Sequence, residues 1–205
     1  MKSIAIYGAG GHAKVVVDIA KQLGYTHIVL FDERWQQLGL IEACSVKGDW
    51  QALLRYLADK PSSDVHVAIG NNHTRLDKIA QLERLAYQQP VLVHPRAYVS
   101  DSASIGLGSV IMANATVSVN CRIGRGVIIN HNSSVDHDGH CADGVHIAPG
   151  AHLAGEVSVG RASMLGIGSC IIQGIIIKAD VIVGAGSVVV KDVKHAVKVY
   201  GNPAK

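Results

Sequence analysis

The stretch Val117–Val135, VSVNCRIGRGVIINHNSSV, carries an aliphatic residue at every sixth position: Val117, Ile123, Ile129 and Val135. The period runs outward in both directions, through Val93, Val99, Ile105 and Ile111 on one side and Ile147, Leu153, Val159, Leu165, Ile171, Ile177, Val183 and Val189 on the other. Only Cys141 departs, and it is itself small and apolar. A period of six is neither the 3.6 of a helix nor the two of a strand, and it marks a repeat in which each short unit stacks on its neighbours. Three such units per turn make a triangular prism, in which residues eighteen apart stand one above another at the inter-strand spacing of roughly 4.8 Å. Each stacked Val, Ile or Leu then contributes about 1.5 to 3 kcal/mol on burial, enough for the stack to replace a conventional core. The residue four places after each aliphatic is often small, as in Ala97, Ala103, Ser109, Ala115, Ser133, Ala151 and Ser187, and is expected to form the tight corners. A β-sandwich is the competing architecture, but its turns fall at irregular spacing.

The period begins near residue 93, so the sequence predicts two parts, 1–90 and 91–205. A formal charge of +3 without a basic run argues against nucleic acid as a partner. With no apolar run of spanning length and no leader pattern, a cytoplasmic protein that does not enter the membrane is expected. Cys44, Cys121, Cys141 and Cys170 lack metal-ligand spacing and read as reduced, mostly packed thiols.

The first part reads as α/β. Ile4–Tyr7 is a buried strand, Ala13, Val16, Val17, Ala20 and Leu23 keep helical spacing, and Gly24 ends that helix. His27–Phe31 predicts a second strand, Trp50–Leu57 a helix, Val65–Ile69 a third strand, and Asn72 to about Tyr87 another helix. Strands alternating with helices imply a parallel sheet. Between the first strand and helix lies Gly8-Ala9-Gly10-Gly11-His12, with Asp32 and Glu33 closing the second strand. Glycines there let a pyrophosphate approach the backbone and the helix start. A turn that binds nothing and an NAD site are the alternatives. About 90 residues hold one mononucleotide half, which suits a nucleotide-linked sugar better than a dinucleotide.

The prism carries a histidine-rich run, Asn130-His131-Asn132-Ser133-Ser134-Val135-Asp136-His137-Asp138-Gly139-His140, followed by His146 and His152. Several histidines on a prism raise the possibility of zinc, but their spacing distributes them over different faces. Acid–base chemistry is the stronger reading, with His137 as base and either Asp136 or Asp138 holding its tautomer. Gly155, one turn after His137, offers a backbone N–H for a developing oxyanion. Cys121 and Cys141 have no base partner in sequence and make poor nucleophiles.

These segments, together with Gly70-Asn71-Asn72, Val145-His146-Ile147-Ala148-Pro149-Gly150-Ala151 and Gly201-Asn202-Pro203-Ala204-Lys205, resemble the sialic-acid O-acetyltransferase type of hexapeptide-repeat sugar acetyltransferases. That group includes bacterial enzymes acetylating UDP-linked 4-amino sugars. The resemblance implies a Rossmann-like half domain followed by a left-handed parallel β-helix, a homotrimer, and acetyl-CoA bound between adjacent prisms, with no metal. It implies N-acetylation of a UDP-4-amino-4,6-dideoxy-N-acetylhexosamine in bacterial glycan biosynthesis; O-acetylation of a sialic-acid-like sugar is the alternative within the family. His137 matches the catalytic base and Asp138 the acid that orients it. Asn130, His146, Gly155, Gly166, Ile167, Gly184 and Ala185 match acetyl-CoA-contacting positions. Gly8, Gly10, Gly11, His12, Asp32, Glu33 and Gly70 match the nucleotide-sugar pocket. Gly139-His140-Cys141-Ala142 departs from the family's usual run and puts the corner after His137 in question. Outside the family, a zinc carbonic anhydrase on the same prism or a non-catalytic nucleotide-binding oligomer would share parts of this pattern.

Overall fold

The computed structural model describes residues 2–205. The chain divides into two compact units, Met1–Leu92 and Val93–Lys205. The first contains β1 (Ser3–Tyr7), α1 (Gly11–Gln22), β2 (His27–Phe31), β3 (Leu40–Ile41), β4 (Cys44–Ser45), α2 (Trp50–Asp59), β5 (Asp64–Val67) and α3 (Asn72–Arg84). Its parallel sheet has the order β2-β1-β5, and Tyr7 pairs with Phe31 on one side and Val67 on the other. The central strand is apolar on both faces, with Ile4, Ala5 and Ile6 fully buried, as a strand covered by helices requires. α1 buries Ala13, Val16, Val17, Ile19 and Ala20. Side-chain caps start the other two helices: Asp49 accepts the Ala52 N–H at 2.8 Å, and Asn71 accepts the Thr74 N–H at 2.9 Å.

Two local expectations are corrected and one element is new. The third strand stops at Val67 rather than Ile69, because the Arg75 guanidinium takes the Ile69 and Gly70 carbonyls into the following turn. α3 stops at Arg84, three residues before Tyr87, where Ala86 turns left-handed at φ 59°. The β3–β4 hairpin was not foreseen. Its turn residues, Glu42 and Ala43, have φ of 49° and 62° without the Asn or Gly that normally announces such a turn.

The second unit is a left-handed parallel β-helix. Two-residue strands stack into three parallel sheets of six, five and seven strands. Register follows the eighteen-residue spacing: Val117 pairs with Val99 and Val135, Ile123 with Ile105 and Cys141, and Ile129 with Ile111 and Ile147. These residues point inward and form one continuous buried stack with Leu153, Val159, Leu165, Ile171, Ile177 and Val183. Cys141 occupies a core position with no break in pairing, so the unusual run after His137 leaves the coil intact.

The corners differ from the expected arrangement. From Ile105 to Val183 the left-handed residue stands three places after each inward-facing core residue, at Gly108, Asn114, Asn120, Gly126, Asn132, Asp138, Gly144, Gly150 and onward to Gly186. Gly, Asn and Asp tolerate that conformation best, and Glu156 and Ala162 are the apolar-stem exceptions. The small residue one place later lies beneath the turn, buried. Ser109 there donates to the Gly124 carbonyl at 2.8 Å and accepts the Val127 N–H at 2.9 Å. Two cysteines, Cys121 and Cys141, are buried, whereas Cys170 is exposed. Among the described residues no helix is long and apolar enough to cross a membrane.

Candidate active site

The stacked turns define three edges of the prism. On one, Asp138 N–H donates to the Val119 carbonyl, Glu156 N–H to His137 and Gly174 N–H to Gly155. On a second, Gly150 N–H donates to His131, Gly168 N–H to Pro149 and Gly186 N–H to Ile167. On the third, Gly144 N–H donates to Arg125 and Ala162 N–H to Asp143, and the Arg125 side chain grips Asp143 at 2.6 Å.

His137 and Asp138 occupy the first edge. The left-handed turn at Asp138, φ 57°, swings its carboxylate back so that Oδ2 lies 2.9 Å from His137 Nδ1. Extended strand geometry would have sent it to the opposite face. Asp136 instead accepts the His137 backbone N–H at 2.7 Å, which settles which flanking carboxylate holds the ring. The Asp138 bond raises the imidazole above its ordinary pKa, with the charges of Asp136 and Glu156 adding to it. Reciprocally, His137 and then Asn120 hold the Asp138 carboxyl below its usual range. With Nδ1 committed to Asp138, the tautomer leaves Nε2 as the proton acceptor. Nε2 faces Gly155, where any β-carbon would overlap the ring. The N–H groups of Ala154 and Glu156 are both bonded to neighbouring coils, whereas that of Gly155 makes no hydrogen bond among the described residues. Grooves of about 460 and 470 Å³ flank this edge, one lined by Ser102, Asn120, Asp138 and His140, the other by Ser134, Asp136, His152 and Ile172.

Asn130, His146, Gly166, Ile167, Gly184 and Ala185 gather at the second edge. Asn130 Nδ2 lies 3.1 Å from His146 Nε2, and its Oδ1 accepts the His131 N–H at 2.8 Å. Ile167 is 60% exposed and Ala185 is also exposed, on turns one coil apart. Gly166 and Gly184 are buried: a β-carbon would strike the Val183 carbonyl at 2.6 Å in the first case and the Tyr200 ring in the second. The six-stranded sheet separates the two edges, so a single chain does not bring His137 and this group together.

In the first unit, Gly8 has φ +113°, and a β-carbon there would lie 2.5 Å from the Ala68 carbonyl oxygen. Its role is therefore to let β1 pass β5. Gly10, which caps α1, and Gly11 and Gly70 face open space. No side chain caps α1. Asp32 accepts the Ala9 N–H at 2.9 Å and the Arg34 Nε at 3.1 Å. Burial alone would raise its pKa, but Arg34 and the backbone donors outweigh that and hold the carboxyl below its ordinary value. Glu33 accepts the Tyr7 hydroxyl at 2.6 Å. His12 is half-buried in the first turn of α1. Tyr7, Arg34 and Arg75 were not singled out from sequence: Tyr7 ends a buried strand and Arg75 lies within a helix, where nothing local distinguishes them, and Arg34 is an exposed turn residue just after Asp32 and Glu33. Asn120 was not singled out either, although its place eighteen residues before Asp138 is a signal that could have found it. Among the described residues no three His, Cys, Asp or Glu side chains of the chain converge to hold a metal ion.

The acetyltransferase domain of PglB from Neisseria gonorrhoeae FA1090 superposes with a TM-score of 0.95 at 41% identity, over 100% of this chain and 99% of that one. The chain belongs to the hexapeptide-repeat sugar acetyltransferases. PerB from Caulobacter crescentus, solved in complex with CoA and GDP-perosamine, superposes with a TM-score of 0.94 at 36% identity over 100% of this chain and 97% of that one. The model of the PglD N-terminal domain matches residues 3–82. The UDP-N-acetylbacillosamine N-acetyltransferase of Bacillus subtilis (strain 168) is 37% identical over 115 residues, 55% of this chain and 52% of that protein. The match therefore spans about half the length of that curated relative.

Proposed function

We propose that this sugar acetyltransferase moves the acetyl group of acetyl-CoA onto the amino group of a nucleotide-linked 4-amino sugar, UDP-linked by preference, in bacterial glycan biosynthesis. The observation that carries this reading is the His137 imidazole, tied through Nδ1 to Asp138 at 2.9 Å and presenting Nε2 beside Gly155. In the proposed step the sugar nitrogen attacks the thioester carbonyl as Nε2 takes its proton, and the Gly155 N–H supports the oxyanion. The C–N bond forms, the C–S bond breaks, and the proton passes from Nε2 to the departing thiolate. No covalent enzyme intermediate is needed. Residues 1–90 would hold the nucleotide sugar, its phosphates against Gly10, Gly11 and the uncapped start of α1. Asp32, Glu33, His12 and Gly70 would line the remainder of that pocket.

The separation of the two prism edges supports an oligomer. Acetyl-CoA lying along Ile167, Ala185, Asn130 and His146 reaches a His137 only if the His137 edge of another chain is set against it, which a homotrimer achieves by closed symmetry. Both substrates are cytoplasmic metabolites, and we place the reaction there.

The test is a panel of UDP- and GDP-linked 4-amino sugars incubated with acetyl-CoA, following free thiol and the mass and hydroxylamine stability of the product. N-acetylation of the UDP-linked member is expected. Thiol release with GDP-linked sugars alone would overturn the nucleotide assignment, and an O-acetyl product the acceptor assignment. Light scattering showing an active monomer would overturn the shared site.

A further inference from the structure

We propose that Asn120 is a positioning residue for the reaction, its side-chain amide holding one carboxylate oxygen of Asp138 while the other holds His137. This rests on the reading of His137 as the base. The two contacts divide Asp138 between them: Asn120 Nδ2 lies 3.2 Å from Oδ1, and His137 Nδ1 lies 2.9 Å from Oδ2. The Asp138 side chain is 49% exposed, so without a second anchor it would rotate into water and release the imidazole. Asn120 is well placed to supply the anchor. It sits one coil below Asp138 in the same left-handed turn position, φ 58°, and its backbone N–H is fixed to Ser102 Oγ at 3.0 Å. Ser102 is held in turn by Ser100 at 3.1 Å. Only the amide nitrogen can face a carboxylate, so the bond also sets which way Asn120 points.

A purely structural reading exists, because asparagines at stacked left-handed turns form ladders. The prism contains its own control. Asn114 donates to Asn132 at 3.2 Å, across the same eighteen residues, on the edge that lacks His137. If Asn120 served the coil alone, the two asparagines would be equivalent.

The charged and titratable groups around the dyad are Asp136, Glu156 and Cys121, with Arg122 and His140 lining the adjoining groove. All are kept in the test. Asn120→Ala, Asn120→Asp, Asn114→Ala, Asn114→Asp and His137→Ala are compared by kcat and KM from pH 5.5 to 9, with oligomer mass and melting temperature as folding controls. Asn120→Ala is expected to lower kcat on the order of 10-fold with both KM values near wild type, and to move the acid limb of kcat down. Asn120→Asp places a second carboxylate below Asp138 and should move that limb up. Both Asn114 variants lie on the acetyl-CoA edge and are read only by the acid limb of kcat, which should stay where it is in wild type. If His137→Ala inactivates the folded enzyme while the Asn120 variants retain kcat and the acid limb, the positioning role is overturned and the base stands. Equal shifts in the Asn114 variants would also overturn it. If folded His137→Ala remains active, the base reading fails and this inference with it.

Discussion

The imidazole of His137 packs directly against the α-carbon of Gly155, its neighbour one coil away, in the space a β-carbon would fill. Gly155→Ala therefore has to displace the ring or the coil. The exposed ring is the softer of the two, so the fold should survive while the base is misplaced. We expect kcat to fall on the order of 10²-fold, with acetyl-CoA affinity by calorimetry within a few-fold of wild type. A normal kcat in this variant would show that the ring does not act from the position it occupies here.

The dyad itself predicts a hierarchy. His137→Ala should lower kcat by roughly 10² to 10⁴, the range of a lost general base. Asp138→Asn keeps the shape but removes the charge that raises the imidazole pKa. Because that interaction raises the pKa, its loss must lower it, and the acid limb of the kcat profile should move down toward an ordinary imidazole near 6.5. An unmoved limb, with kcat reduced, would mean that the limb reports another group.

Gly8 and Gly10 lie two residues apart and should behave oppositely. Gly8→Ala meets both an unfavourable φ and the Ala68 carbonyl, a cost of about 1 to 3 kcal/mol or more that appears as a lower melting temperature. Gly10 faces open space at φ −88°, a conformation valine accepts, so Gly10→Val should fold normally. Its side chain would stand where we place the nucleotide phosphates. Nucleotide-sugar affinity should then drop strongly with acetyl-CoA affinity unchanged; the reverse pattern would exchange the ligands between the two units.

His66 offers a stability prediction away from the chemistry. This β5 histidine is 1% exposed, and burial, with the charge of Arg75 adding to it, pushes its pKa from 6.5 down to about 4. A histidine with a depressed folded pKa binds its proton more tightly when unfolded. The stability it permits is therefore complete above about pH 6.5 and is lost as pH falls toward 4, by on the order of 3 kcal/mol for a shift of that size. Unfolding followed by denaturant between pH 7.5 and 4.5 should show this decline, and His66→Gln should flatten it. An equally steep decline in the variant would place the pH dependence elsewhere.

Much of this was legible in the chain itself. Once aliphatic residues recur every sixth position, with Cys141 the one exception, the strand partners of the coils lie eighteen places away, because a solenoid turns long-range contacts into a fixed offset; only the last coil departs, where Ile177 meets Val193 and Val183 meets Val199 at an offset of sixteen. That arithmetic placed Gly155 against His137, and it places Asn120 beneath Asp138. The strand–glycine–helix opening was readable for a similar reason: β1 and α1 are local elements with strong periodicity. Tertiary structure decided what depends on backbone conformation rather than on offset. Asp138, not Asp136, orients His137 because residue 138 is left-handed, and one φ angle chooses which neighbouring carboxylate returns to the ring. Gly8 serves the passage of two strands because Ala68, sixty residues away, lies against it, and no local pattern announces that contact. The β3–β4 hairpin likewise turns on the left-handed Glu42 and Ala43, a backbone choice that neither residue type announces.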